Sequence, residues 1–175
     1  MAIEKTAFRI SKIITALREF SRENTDQSYE ASTVQEVLNE ILIFCEERFR
    51  NHGVQFHIEG DLNVPIRSKG PQLSQVFLNL LNNAFDAIEF DEDKWIRIKV
   101  ETENNMVKIY VIDSGQKIPE EIREKIMQPF FTTKEVGKGT GLGLAISKGI
   151  VEKHRGNLFI DTKSPNTTFV VALPA

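Results

Sequence analysis

Four polar side chains stand one above another in the stretch Gln75–Ile88. Gln75, Asn79 and Asn83 recur at every fourth position, and Asp86 follows one turn beyond. At helical spacing they form a single stripe. The residues around them are apolar. Leu73, Val76, Phe77, Leu80, Ala84, Ala87 and Ile88 make a broad face, and Leu78, Leu81 and Phe85 add surface on other sides. Little of such a helix is expected to face water. Amides and a carboxylate are costly to bury unless each finds a partner. One Asn could cap neighbouring backbone or face a wet groove. A stripe of four polar groups points to a ligand or metal site.

Three further stretches carry chemical signals. Val111-Ile-Asp-Ser-Gly115 reads as an apolar strand ending in a carboxylate and a turn. Asp113 can accept a hydrogen bond from an exocyclic amine, and Gly115 lets a flat ring approach the backbone. Standing alone, Asp-Ser-Gly is an ordinary turn. Gly137-Lys-Gly-Thr-Gly-Leu-Gly-Leu144 places glycines at alternate positions directly before a helix. Bare backbone N–H groups at the positive end of a helix suit a phosphate chain. A Walker loop needs Ser or Thr after Gly-Lys, and Gly139 follows Lys138. A dinucleotide fingerprint follows a strand, whereas this run follows a loop. A protein-kinase glycine loop needs partner motifs, and His154-Arg155-Gly156 lacks the catalytic Asp. A flexible hinge is the plainer reading, and four alternating glycines weigh against it. In Pro129-Phe-Phe-Thr-Thr-Lys134, two aromatics beside a polar loop suggest an anchor for a mobile segment. Lys134 and Lys138 are within reach of phosphates from there. On its own the same box reads at least as readily as two core phenylalanines and a solvated lysine.

These stretches need elements to position them. Gly70-Pro71 opens the central helix, with Pro in the first turn where its missing N–H costs nothing. Upstream, residues 1–23 read as an isolated amphipathic helix whose seam is Ile3, Ala7, Ile10, Ile14 and Leu17. So short a seam buries little alone, and it calls for a helical partner. Residues 24–31 form a polar linker with room for a short edge strand. Thr33 and Glu36 predict a capping box for a helix running to about Asn51, stopped at Gly53. Val54, Phe56 and Ile58 alternate as in a half-buried strand. Trp95–Glu103 and Met106–Ile112 are better strands, joined by a tight turn at Asn104-Asn105. A short helix over Pro119–Met127, irregular chain to Thr140, a helix from about Leu142 to His154, and strands Leu158–Asp161 and Thr168–Leu173 complete the chain. Residues 32–175 are thus expected to be one α+β domain, a mixed sheet covered by helices on one face.

Composition limits the function classes. The chain has 175 residues, 41% hydrophobic, with net charge −3 and acids and bases interspersed. That supports a core and gives no basic, aromatic-laced surface for nucleic acid. Cys45, the one cysteine, falls in an apolar helical pattern and reads as a reduced core residue. No run is apolar and long enough to span a membrane. The chain is expected to be soluble and cytoplasmic, and a membrane-anchored parent is compatible with that.

Taken together and in order, the four stretches resemble one family. Asn79-x-x-x-Asn83-Ala84, Asp113-x-Gly115, Phe130-Phe-Thr-Thr-Lys134 and Gly139-Thr-Gly-Leu-Gly-Leu144 are similar to the boxes of the catalytic ATP-binding domain of bacterial sensor histidine kinases. That domain shares a superfamily with DNA gyrase, the chaperone Hsp90 and the mismatch-repair protein MutL. The resemblance covers about residues 30–174. Arg9 to Arg22 resembles the second helix of that family's dimerisation hairpin. The Phe130–Lys134 box is similar to that of the nitrogen-regulatory type. The implied fold is the Bergerat type, a two-layer α+β sandwich with a mixed, mostly antiparallel sheet.

The resemblance also implies roles. Asn83 would give its amide oxygen to Mg²⁺, with phosphates and waters completing the octahedron. Asn79 would line the same phosphate pocket. Asp113 would accept from the adenine amino group beside Gly115, and Thr167 would support the ring. Phe130 to Gly139 would form the lid, and Gly139, Gly141 and Gly143 would turn N–H groups to the phosphates. Asp86, Lys117, Thr132, Thr133, Lys134, Lys138, Thr140, Leu142 and Leu144 complete the expected nucleotide-binding set, with Asn79 and Lys134 as its catalytic members. The implied reaction is transfer of the γ-phosphoryl group of ATP to a histidine, by positioning and charge stabilisation. Implied partners are the phospho-acceptor hairpin of a homodimeric parent and a response-regulator receiver domain. The sequence departs from the family pattern in three places. Lys117 stands where a second glycine is usual, Gln75 where many members carry an acid, and Asn166-Thr167 where Gly-Thr is usual.

His52, His57 and His154 lack the acceptor's context: a helix end, an alternating strand and a helix close. The chain is therefore expected to begin partway through its hairpin and not to label itself. The other reading is a nucleotide-gated module, or an anti-sigma serine kinase, of the same fold.

Overall fold

The computed structural model describes residues 28–135 and 139–175. The helix expected over 1–23, the first half of the linker (24–27), Gly137 and Lys138 lie outside the described residues.

Strand β1 (Glu30–Thr33) leads directly into helix α1 (Val34–Asn51). The capping box forms at that junction. Thr33 Oγ1 accepts from the Glu36 N–H at 3.2 Å, and the Thr33 N–H donates to the Glu36 carboxylate at 2.8 Å. Gly53, at φ +71°, turns the chain into β2 (Gln55–Glu59). Strand β3 (Pro65–Ser68) has no counterpart among the sequence expectations. It is four residues long, starts with Pro, and pairs only with β1. Helix α2 (Gly70–Ile88) follows, then the hairpin of β4 (Trp95–Glu103) and β5 (Met106–Gln116). Asn104 and Asn105 both adopt positive φ, 52° and 63°, as the two-residue turn requires. The last elements are α3 (Glu120–Arg123), α4 (Gly143–Lys153), β6 (Asn157–Ile160) and β7 (Asn166–Pro174).

The main sheet has five strands in the order β2-β4-β5-β7-β6. Only the β2–β4 pair is parallel; the other pairs are antiparallel. Alternate residues of β4 and β5 point inward: Ile96, Ile98, Val100, Val107, Ile109 and Val111 are buried against α1 and α2. The opposite face carries charge, with Lys99–Glu101 at 2.6 Å and Arg97–Glu59 at 3.2 Å. Helix α4 packs against α2 and the β6 edge. This is the expected α+β arrangement.

Local expectations needed four corrections. Strand β5 runs on to Gln116 rather than ending at Ile112, with a register shift between those residues. Helix α3 is a single turn and not the longer helix read over Pro119–Met127. Ile58 in β2 is 36% exposed, because an edge strand has a neighbour on one side only. On α2, Ala87 and Leu78 are exposed, so this helix keeps an open side where the apolar pattern left little room for one.

Candidate functional site

The open side of α2 is the side that carries the polar stripe. Gln75, Asn79 and Asn83 are half-buried and Asp86 is exposed, while Leu73, Val76, Phe77, Leu80, Leu81, Ala84, Phe85 and Ile88 are buried behind them. Two elements close on the stripe. From α4, Ser147 accepts a 2.9 Å hydrogen bond from Asn79 Nδ2. A Cβ on Gly143 would lie 2.5 Å from Asn79 Oδ1, so a larger residue there would push the amide out of its present place. From the loop after α3, Lys134 Nζ donates to Asn83 Oδ1 at 3.2 Å and to Asp86 Oδ2 at 2.6 Å. A cavity of about 210 Å³ lies between α2 and the start of α4, with Gln75, Asn79 and Asn82 on one wall and Thr140, Gly143 and Ser147 on the other.

The phenylalanine box and the glycine run hold each other. Gly141 sits at φ +68°, and a Cβ there would come within 2.5 Å of the Phe130 carbonyl carbon. Phe130 itself takes φ +68°, and its N–H donates to Gly141 O at 2.8 Å. Gly139 lies against Thr132, whose Oγ1 would be 2.7 Å from an added Cβ. Thr132 Oγ1 also accepts from the Lys134 N–H at 3.2 Å, and Thr140 Oγ1 accepts from the Leu142 N–H at 3.3 Å. Leu142 is buried and Leu144 packs on the core, so both anchor the run. Thr133 is exposed, and no partner brings it to the stripe.

Asp113 lies beyond the C-terminal end of α2, where an added Cβ on neighbouring Gly115 would come 3.4 Å from Ile88 Cγ2. It is on the inward-pointing side of β5, 1% exposed, and the Gly115 N–H donates to its Oδ1 at 2.9 Å. Burial pushes its carboxyl up to about 7; the Gly115 N–H opposes this and the charge of Asp91 adds to it. The register shift beside it is braced from both neighbours. Trp95 N–H donates to Ser114 Oγ at 3.2 Å, and Asn166 Nδ2 donates to Ser114 O at 3.2 Å. Asn166, a departure from the family pattern, therefore serves the strand irregularity as a brace. Thr167 is buried and donates its hydroxyl proton to Gln116 O at 2.7 Å, leaving its oxygen free only to accept. Lys117 is part-buried just beyond the end of β5.

The profile of the histidine kinase-, DNA gyrase B- and HSP90-like ATPases matches residues 68–175, more than half of the chain. The chain belongs to this ATPase family. Within it, the chain is 32% identical to the crystallised catalytic domain of histidine kinase ThkA, with a TM-score of 0.75, over 84% of this chain and 95% of that one. It is also 34% identical to the signal transduction histidine-protein kinase AtoS of Escherichia coli (strain K12), over 94% of this chain and 27% of that protein. The C4-dicarboxylate transport sensor protein DctB of Rhizobium meliloti (strain 1021) is 32% identical over 98% of this chain and 27% of its own length. The chain thus spans about a quarter of such relatives and corresponds to the ATPase domain of histidine kinases.

Two partners of the site lie outside the stretches that the sequence singles out. Arg48 of α1 donates to Asn82 Oδ1 at 2.6 Å, lies 3.6 Å from Asp86, and stacks 4.0 Å above Phe85. It sits in the last turn of a helix remote in sequence. Ser147 shares its helix with the polar Lys148, Glu152 and Lys153, and only its burial in the structure, at 1% exposure, sets it apart. Among the described residues no helix is long and apolar enough to cross a membrane. The histidines keep away from the cavity. His154 is buried, with Nε2 accepting from the Lys69 N–H at 3.0 Å and Nδ1 facing Ile150 O at 2.8 Å, which fixes a neutral ring. His52 turns Nδ1 to Arg48 O at 2.8 Å, and His57 is exposed on β2.

Proposed function

We propose that this chain binds Mg·ATP along the α2 stripe and transfers its γ-phosphoryl group to a histidine on a helical hairpin. The observation that carries the reading is the placing of Asp113. A buried carboxylate stands beside Gly115, which packs on Ile88 at the C-terminal end of α2, the helix whose open side gathers Asn79, Asn83, Lys134 and Gly143. Asp113 accepts from the adenine amine, and Gly115 leaves room for the ring. Asn166 and Ser114 keep that carboxylate in place. Thr167 accepts from a bridging water, since its proton is committed. Backbone N–H groups of Gly139, Gly141 and Gly143, with Thr140, take the phosphates. Thr132, Leu142 and Leu144 hold that loop, and Thr133, Lys117 and Lys138 are read as further nucleotide contacts on the resemblance alone.

The donor set fits Mg²⁺. Asn83 already presents its oxygen to a cation, the Lys134 ammonium. Among the described residues no group of three or more His, Cys, Asp or Glu could hold a metal, so phosphate and water must supply most ligands. Bound Mg²⁺ supplies charge neutralisation of the phosphate oxygens. Asn79, fixed by Ser147, positions the phosphate chain, and Lys134 offsets its charge.

A chain similar to this one, ThkA, has been solved in complex with the response regulator protein TrrA; we place a receiver domain downstream of this chain on that basis. The finer placing with the nitrogen-regulatory type rests on the Phe130–Lys134 box. Residues 1–23 are assigned to the hairpin, 24–31 to the linker and 32–175 to the ATPase domain, in a cytoplasmic setting. The test is incubation with γ-labelled ATP, alone and with a separate hairpin carrying the acceptor histidine. Acid-labile label on the hairpin only is expected, and slow, because tethering is lost. Acid-stable label on this chain alone would overturn the reading in favour of a serine kinase.

A further inference from the structure

Lys134 occupies the position that the nucleotide reading gives to a metal ion. Its Nζ is 3.2 Å from Asn83 Oδ1 and 2.6 Å from Asp86 Oδ2. A Mg²⁺ ion on that amide oxygen sits at about 2.1 Å. An ammonium on the same oxygen would then lie within a few ångströms of a divalent cation, with strong repulsion. The two cannot share Asn83. Asp86 differs, because it has a second cation that does not come from the loop. Arg48, held by Asn82 and stacked on Phe85, stands 3.6 Å from Asp86 Oδ1.

We propose that Lys134 is a built-in counter-cation, which holds Asn83 and Asp86 in the nucleotide-free protein and passes to the phosphates when Mg·ATP binds. The exchange rests on the nucleotide reading above. Arg48 makes it cheap: when Lys134 leaves, Asp86 keeps a charged partner and is not stranded. The Lys134–Asp86 pair is itself about one-third exposed on both sides, so its hold is modest. Asp86 on this view does not bind the metal. It sets how readily Lys134 lets go, and hence how much Mg²⁺ the site demands.

The test is a double-mutant cycle of Asp86→Asn and Lys134→Met, read in two ways. Without nucleotide, the effects on Tm should be non-additive, and the coupling should vanish in saturating Mg·ATP. With a fluorescent ATP analogue, D86N should lower the Mg²⁺ concentration for half-maximal tightening by about two- to fivefold. In the K134M background D86N should change nothing. A higher Mg²⁺ demand from D86N in both backgrounds would make Asp86 a direct metal ligand and overturn the proposal. So would coupling that persists in Mg·ATP, or additive effects without it. A parent chain that binds no nucleotide removes the underlying reading instead, and is told apart because in the other cases nucleotide still binds.

Discussion

Asp113 gives the sharpest prediction, because its protonation state controls two measurements in opposite senses. Its carboxyl is raised from 3.8 to about 7, chiefly by burial. The anion accepts from an adenine amine through a charge-assisted bond that the neutral carboxyl lacks. In the limit in which only the anion binds, the apparent dissociation constant for ATP carries a factor of 1 + 10^(7 − pH), roughly 11 at pH 6 and near 1 at pH 8. The expected loss between those values is about tenfold, or ~1.4 kcal/mol. Folding runs the other way. A carboxyl whose folded pKa lies above its unfolded value favours the fold fully below about pH 4, and this contribution is lost as pH rises through 7. Asp113→Asn keeps an acceptor for the Gly115 N–H but cannot ionise. Without nucleotide it should melt above the parent at pH 8 and level with it below about pH 4. Its amide also presents a donor to the adenine amine, so ATP binding should weaken by about 1.5–3 kcal/mol at pH 8. Calorimetric titration at pH 6, 7 and 8, on parent and variant, reads the first effect against the protonation of ATP itself, which both share. An affinity ratio of parent to variant that is flat across this range would refute the reasoning, as would an ATP affinity matched by GTP.

Three further outcomes follow from particular contacts. Asn83→Ala should remove most of the Mg²⁺-dependent tightening of ATP while lowering stability by only about 1 kcal/mol, since the residue is half-buried; titrations with and without Mg²⁺ check it, and an unchanged Mg²⁺ dependence contradicts it. Gly141→Ala should cost on the order of 1–3 kcal/mol of local strain and release the Phe130 box, because φ is +68° and the added Cβ meets the Phe130 carbonyl. Faster hydrogen exchange at Phe130, with weaker ATP binding, is the readout. His154 is held below its usual pKa, first by burial. Its stabilising contribution is present above about pH 6.5 and lost as pH falls through the lowered value. The melting temperature of the parent relative to His154→Gln should therefore fall below about pH 6.5, the Asp113 contribution being common to both.

The central helix was legible because its chemistry and its packing conflict. Asn79, Asn83 and Asp86 violate an apolar pattern at regular spacing, and such violations mark function more often than error. The capping box of α1 and the Asn104-Asn105 turn were equally plain, since each is decided by a few adjacent side chains. What failed was whatever depends on a distant neighbour. Strand β3 exists because β1 pairs with it, and nothing in Pro65–Ser68 alone announces that. The continuation of β5 past Asp113 is held by Asn166 and by Trp95, which lie 52 residues after Ser114 and 19 before it. Asp-Ser-Gly still looks like a turn from within.

The site divides along the same line. Residues that touch a ligand are constrained by the ligand's chemistry, which the chain displays in recognisable order. Residues that hold them are constrained by position, and many side chains could do that work. Ser147 fixes the Asn79 amide and Arg48 flanks Asp86, yet neither type nor spacing distinguishes them from other serines and arginines on helices. The supporting shell matters because a small displacement of a positioned group is expensive in phosphoryl transfer. Asn79 makes the argument concrete. Its Nδ2 is committed to Ser147, and its Oδ1 lies against Gly143, where an added Cβ would displace it. The amide thus locks α2 to the first turn of α4, the turn whose N–H groups are proposed to meet the phosphates. A single side chain both orders the glycine run and borders the cavity.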